Sequence, residues 1–240
     1  MTEMTELYFY QDVYCQQLEV TALDVDKDEK FGFYLTCDKT ICHPHGGGQK
    51  GDRANFVFID KLGENRQELQ IIDTRKDPIT GNIKHILAKT HHFETENPKD
   101  CVGRGVLQLD WDFRYKQMRL HSVSHLLHIF LEKVLEKELI YPDVADIQED
   151  YGLNVYNNLN INSQDIVKAV EMMNAFIAED HLINTYPDPK INGYRYWSCA
   201  NFIIPCGGTH PRTTIEIGQI SANFSQKKGK SKITFKIENL

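Results

Sequence analysis

An α+β fold in two domains is what this sequence predicts: a small β-barrel-like domain over residues 1–95, followed by an α+β domain over residues 101–240. Three observations lead there. The first part holds short runs rich in β-branched and aromatic residues. The second carries two segments of helical periodicity. A polar stretch lies between them.

The short runs are residues 18–22, 31–36, 55–60, 67–72 and 83–88, separated by clusters of Asp, Lys, Gly and Asn. Each reads as a strand, and several short strands at close spacing suggest a small barrel. Residues 94–100, which include Asn97-Pro98, read as the linker. Over residues 115–138, Leu120, Val123, Leu127, Phe130, Val134 and Leu135 recur at helical spacing. Residues 163–180 predict a second helix, with Ser163 as N-cap ahead of Ile166, Val170, Met173 and Ile177. Residues 221–224 and 233–237 read as strands around the turn Lys228-Gly229-Lys230. Helix and strand together make the second domain α+β.

At 240 residues the chain is long for one core and sufficient for two. With 41% apolar and 25% charged residues it has the composition of a soluble globular protein. No run approaches the roughly 20 apolar residues of a membrane-spanning helix, so no membrane partner is expected. The first residues, Met1-Thr2-Glu3-Met4-Thr5-Glu6, are acidic and polar, unlike a secretory signal. That leads to an expected cytoplasmic location. Six cysteines, Cys15, Cys37, Cys42, Cys101, Cys199 and Cys206, make no disulfide framework in a chain this long; they read as free thiols or metal ligands. The net charge of −7 counts against a nucleic-acid partner, but distribution matters more than the total. Arg114, Lys116 and Arg119 form one basic stretch, and Lys227, Lys228, Lys230, Lys232 and Lys236 another. Solvated surface accounts for both unless a site lies nearby.

Two residue pairs carry metal chemistry. In His121-Ser122-Val123-Ser124-His125, positions i and i+4 of a helix lie about 40° apart around the axis, so both imidazoles leave one face. Ten histidines make such a pair unremarkable by itself. In Cys206-Gly207-Gly208-Thr209-His210, a thiol and an imidazole flank a glycine-bearing turn that lets the backbone wrap an ion. Together His121, His125, Cys206 and His210 offer three nitrogens and one sulfur, a set that suits Zn²⁺. The Glu of a His-Glu-x-x-His protease is missing. Four protein ligands also describe a purely structural zinc.

The third motif is His43-Pro44-His45-Gly46-Gly47-Gly48-Gln49-Lys50-Gly51-Asp52. Consecutive glycines expose backbone N–H groups to a ligand, although the ending of a phosphate-binding P-loop is lacking. An ordinary strand-to-strand loop has the same composition. His43 and His45 rank below the other four as ligands.

These three motifs, in this order, resemble the alanyl-tRNA editing proteins, free-standing relatives of the editing domain of alanyl-tRNA synthetase. The likeness runs from about residue 40 to 225 and takes in the glycine-rich motif, residues 109–128, and Cys206 to His210 followed by Thr213-Thr214-Ile215-Glu216-Ile217-Gly218. The glycine-rich domain is similar to that of the medium-length class. The resemblance implies a zinc-dependent hydrolase that clears Ser-tRNA, and sometimes Gly-tRNA, from tRNA of alanine identity. It departs at His45, where family members commonly carry an acidic residue, and at Ile215, where they carry Gly. On this basis mischarged aminoacyl-tRNA is the expected substrate and Zn²⁺ the cofactor. Gly46, Gly47, Gly48 and Gln49 are expected to line the amino-acid pocket, and a metal-bound water to act as the hydrolytic agent. The C-terminal lysines are expected to touch RNA phosphate. Rejection of alanine must exploit the hydroxyl that serine adds. Two other classes remain: a zinc-stabilised tRNA-binding module without activity, and a metallohydrolase acting on another small ester or amide.

Overall fold

The computed structural model describes residues 4–59, 65–89, 102–138 and 141–238. The expected linker and Cys101 lie outside these residues. The chain divides into two compact units, one formed by Met1–Gly46 and Lys50–Arg114, the other by Gly47–Gln49 and Tyr115–Leu240.

In the first unit, β1 (Glu6–Leu7), β2 (Gln17–Asp28), β3 (Gly32–Cys37), β4 (Lys39–Thr40), β5 (Ala54–Ile59), β6 (Asn65–Lys76), β7 (Ile83–Leu87) and β8 (Gly103–Leu109) follow in order. β2, β3, β7, β6, β5 and β8 close into a barrel, in that order around it. Inward-facing Leu35, Phe56, Leu69, Ile71 and Leu107 fill its core. Over their described residues the five runs read as strands fall on β2, β3, β5, β6 and β7, and the pairing register is interrupted at Ala22/Asp24, Val57/Ile59 and Ile71/Asp73. The closing strand β8 was not read as one, because its glycines weaken the pattern. Packing explains one of them. A side chain on Gly105 would sit 2.3 Å from the Phe56 ring, which already occupies that volume.

Among the buried polar residues of this unit, Arg114, Asp52 and His85 have their partners in place. Arg114 and Asp52 are both completely buried and paired. The guanidinium donates through Nε to the carboxylate at 2.9 Å, through Nη2 to Ile41 O at 2.7 Å and through Nη1 to Val13 O at 3.4 Å. Asp52 also accepts from the His43 N–H. His85, fully buried, donates from Nδ1 to Leu35 O at 3.0 Å and accepts the Thr40 hydroxyl at Nε2, 2.8 Å away. Burial pushes its pKa from 6.5 down to about 4. The folded ring therefore stays neutral down to that pH, while the unfolded chain takes up a proton near 6.5. The stabilisation is complete above pH 6.5 and falls as pH drops towards 4, by about 3 kcal/mol in all. Urea midpoints measured from pH 7.5 to 4.5 should fall for the wild type and fall less steeply for His85→Gln; parallel curves would refute this.

Helix α1 (Trp111–Leu135) begins four residues before the periodicity suggested. Asp110 causes the early start: its carboxylate accepts the Phe113 N–H at 3.1 Å, satisfying a free donor of the first turn.

The second unit continues with β9 (Val144–Ile147), β10 (Gly152–Asn157), α2 (Ser163–Ala178), β11 (Ile183–Pro187), β12 (Arg195–Cys199), β13 (Phe202–Pro205), β14 (Ile220–Lys227) and β15 (Lys230–Ile237). An antiparallel sheet runs β14-β15-β10-β9, and a smaller one β11-β12-β13. Leu120, Val123, Leu127, Met173, Trp197, Ile233 and Phe235 belong to one buried core. The N-cap of α2 is Asn162, not Ser163. Its side chain accepts from the N–H groups of Gln164 and Asp165, and Asp165 returns a bond to the Asn162 N–H. Ser163 cannot reach the same donors, because it is already the first helical residue. The turn between β14 and β15 is Lys228-Gly229, both at positive φ (50° and 73°), as a two-residue hairpin requires. Lys227, Lys228, Lys230, Lys232 and Lys236 are all exposed there. Among the described residues no helix is long and apolar enough to cross a membrane.

Candidate metal centre

Within the second unit, His121 and His125 leave one face of α1, and Cys206 and His210 come from the turn that follows β13. Their ligand atoms all lie within 4.8 Å of one another. Cys206 Sγ stands 3.7 Å from His121 Nε2 and 3.3 Å from His210 Nε2. Two donors on a tetrahedral zinc, with Zn–N about 2.0–2.1 Å and Zn–S about 2.3 Å, stand about 3.5 Å apart. The three imidazole centroids are 4.5 to 5.1 Å apart.

The sequence between and beyond the ligands holds them there. The turn is pinned to β12 by a bond from Cys206 N to Arg195 O, at 2.9 Å. Beyond His210, Glu216 accepts the Arg212 and Thr213 N–H groups and the Tyr115 hydroxyl. Arg119 donates to Ile217 O at 2.9 and 3.1 Å. The segment following the second ligand pair is thus tied to the helix bearing the first. Gly208 makes the close approach possible. A Cβ there would lie 2.2 Å from His121 Cε1, 2.5 Å from its Nδ1 and 2.9 Å from Gln49 Oε1.

Hydrogen bonds fix which ring nitrogens face the centre. Ser122 Oγ donates to Met118 O, so towards His210 Nδ1, 2.8 Å away, the hydroxyl oxygen accepts. His210 then carries its proton on Nδ1 and turns a lone pair on Nε2 towards Cys206. Gln49 Oε1 stands 3.1 Å from His121 Nδ1 and forces the same tautomer. His125 Nε2 is buried without a hydrogen-bond partner. A buried, unsatisfied imidazole nitrogen costs free energy unless something binds it. Burial, reinforced by His121 and His128, pushes the His125 pKa well below 6.5, so the ring is neutral. The ring of fully buried Trp197 lies 5.2 Å from it and limits its rotation. Burial raises the Cys206 thiol to about 11, against a pull downward from the Gly208 N–H at 3.3 Å. Three imidazoles, two of them turning Nε2 towards Cys206, and one thiol needing a cation to ionise fit a zinc ion.

The glycine-rich loop contributes at this place too. Gly47–Gln49 clusters with the second unit. Gly48 O accepts the Ile147 N–H at 2.9 Å, adding the loop to the edge of β9, and a Cβ on Gly48 would lie 2.7 Å from Ala145 O. Gly47 has open space where a side chain would be, and Gly46 nearly so. The Gln49 side chain is buried and faces His121 and Thr209. His43 and His45 lie in the first unit, the former packed on Phe9 at 5.2 Å, the latter exposed. Sequence reasoning missed Ser122, Thr209 and Trp197. Ser122 and Thr209 each adjoin a proposed ligand, which is the only signal the chain offers for them.

No family profile matches the chain. Among curated proteins it is similar to the alanyl-tRNA editing protein AlaX-M of Pyrococcus horikoshii, at 28% identity over 97% of this chain and 96% of that protein. The AlaX-L protein of the same organism is 29% identical over 95% of this chain, which spans 56% of its length. An alanine–tRNA ligase of Saccharolobus islandicus is 27% identical over 90% of this chain and 24% of the ligase.

Proposed function

We propose, on the premise that this chain is kin to the alanyl-tRNA editing proteins, that it is a zinc-dependent hydrolase removing wrongly attached amino acids from tRNA of alanine identity. The observation that carries this is the convergence of His121, His125, Cys206 and His210, with His125 Nε2 buried and unpartnered. These four would hold the metal. When bound, zinc would supply Lewis-acid polarisation to a substrate ester.

The chain's own residues do the rest. Ser122 and Gln49 hold His210 and His121 in the tautomers that point Nε2 inward. Trp197 and the neighbouring core keep water from the inner side of the rings. Gly46, Gly47 and Gly48 present bare backbone, and we assign them to the aminoacyl group. Val or another large side chain at Gly47 would obstruct that approach and is strained at its φ of 59°. Seryl and glycyl esters are the proposed substrates. A cytoplasmic site of action, among charged tRNAs, follows from that role.

The test is deacylation of Ser-, Gly- and Ala-tRNA side by side, with and without chelator. Ser-tRNA, and to a lesser degree Gly-tRNA, should be cleared, Ala-tRNA spared, and chelation should stop the reaction. Zinc-loaded protein that binds tRNA yet leaves Ser- and Gly-tRNA intact would instead be a zinc-stabilised tRNA-binding module. Activity on small esters without the tRNA body would make it a general metallohydrolase.

The exposed lysines of the β14–β15 hairpin are assigned to RNA phosphate. Changing Lys227, Lys228 and Lys230 to Gln should weaken tRNA binding and reduce the salt slope by up to about 3, with zinc content unchanged. An unaltered slope would leave the hairpin as plain solvated surface.

A further inference from the structure

We infer that Gln49 is a positioning residue for the metal centre: gripped by Thr209, its carboxamide sets the tautomer and tilt of His121, so the glycine-rich loop acts on the metal as well as on substrate. The inference rests on the zinc assignment above and goes beyond it by giving Gln49 a role other than pocket lining.

The geometry is closed on itself. Thr209 N, a donor only, lies 3.0 Å from one terminal atom of the Gln49 carboxamide, so that atom is the oxygen. The same oxygen lies 3.1 Å from His121 Nδ1. It can only accept, so Nδ1 carries the proton and Nε2 keeps its lone pair for the metal. At the other end of the amide, Nε2 donates to Thr209 Oγ1 at 2.7 Å. A carboxamide held at both ends cannot rotate to exchange its oxygen for its nitrogen, an exchange that would place a donor against Nδ1. Gln49 is fully buried and Thr209 nearly so, which leaves neither side chain facing solvent. Three features place the amide here: the Gly48 O bond to Ile147 N, the tight fit of Gly48 on Ala145, and the bare α-carbon of Gly208. Hydrogen-bond partners of metal-bound imidazoles in general raise ligand basicity and fix ring orientation.

The loop therefore joins three segments at one ring. A change at Gln49 should act on the metal through His121.

The experiment measures metal binding without tRNA, so it decides this point even if the deacylase proposal fails. Zinc affinity by competition, and the ligand-field spectrum of the Co²⁺-substituted protein, are compared for wild type, Gln49→Met, Gln49→Glu and Thr209→Val. Gln49→Met, close in shape but only a weak acceptor, should weaken zinc by about ten- to a hundredfold and shift the Co²⁺ bands. Thr209→Val, which releases the Nε2 end of the amide but keeps the backbone N–H on its oxygen, should move both readouts in the same direction by less. Gln49→Glu keeps an acceptor for His121 Nδ1–H and the Thr209 N–H, and should stay within a few-fold of wild type. At saturating zinc, Gln49→Met should lower kcat with KM little changed. Wild-type zinc affinity and Co²⁺ spectrum in Gln49→Met, with a raised KM, would overturn the inference and make Gln49 a substrate contact. Should Gln49→Met fail to fold, Thr209→Val against Gln49→Glu decides: equal metal affinity and spectra in both and in wild type would overturn it.

Discussion

Gly208→Ala is expected to empty the metal centre. One methyl group placed 2.2 Å from His121 Cε1 and 2.5 Å from Nδ1 cannot coexist with the ring, and it also meets the Gln49 oxygen at 2.9 Å. Gly208 cannot give way easily, because its neighbours in the turn are pinned through Cys206 N to Arg195 O, and its own N–H points at Cys206 Sγ. The ring must swing out, taking with it one of four donors and the hydrogen bond that orients it. Zinc affinity should fall by at least about a hundredfold, at the upper end of what loss of an orienting partner alone costs. Metal content after dialysis, measured beside Cys206→Ala and Cys15→Ala, gives the check. The first two proteins should come out nearly metal-free and the third with about one zinc per chain, with deacylation following metal content. A fully loaded Gly208→Ala or Cys206→Ala protein would remove these residues from the centre.

Arg114→Met should be the most destabilising single change in the first unit. It leaves Asp52 charged, buried and without its cation, and strips Ile41 O and Val13 O of a donor. Breaking a buried pair from one side costs about 3–5 kcal/mol. Denaturant unfolding should show that loss, and the double change Arg114→Met with Asp52→Leu should recover part of it, because no lone charge then remains. A loss below about 1 kcal/mol for the single variant would mean that water reaches the pair.

Much of this was legible in the chain, and the failures have physical causes. The barrel strands announced themselves through β-branched runs, because a strand with one face in a core needs them. β8 did not, since Gly105 yields its volume to Phe56. β11 exposes all but Ile183, and β9 buries only Ile147, so neither could leave an alternating trace. The onset of α1 was set by a capping carboxylate outside the apolar repeat. The ligand pairs were visible because both members of each sit on one local element, where spacing fixes geometry. The bond from Gln49 to His121 was not, for the two are 72 residues apart and only the tertiary fold joins them.

That separation bears on how the protein is made. Synthesis delivers every barrel strand by Leu109, yet Cys206 and His210 emerge only after β13. Gln49 must wait for a partner 160 residues downstream, across a span whose closure entropy is among the largest the fold has to meet. A growing chain therefore displays the paired histidines of α1 before anything exists to complete the set. The nascent protein should pass through a stage with a finished barrel and half of the proposed metal site, which is complete only once residues 206–210 have folded.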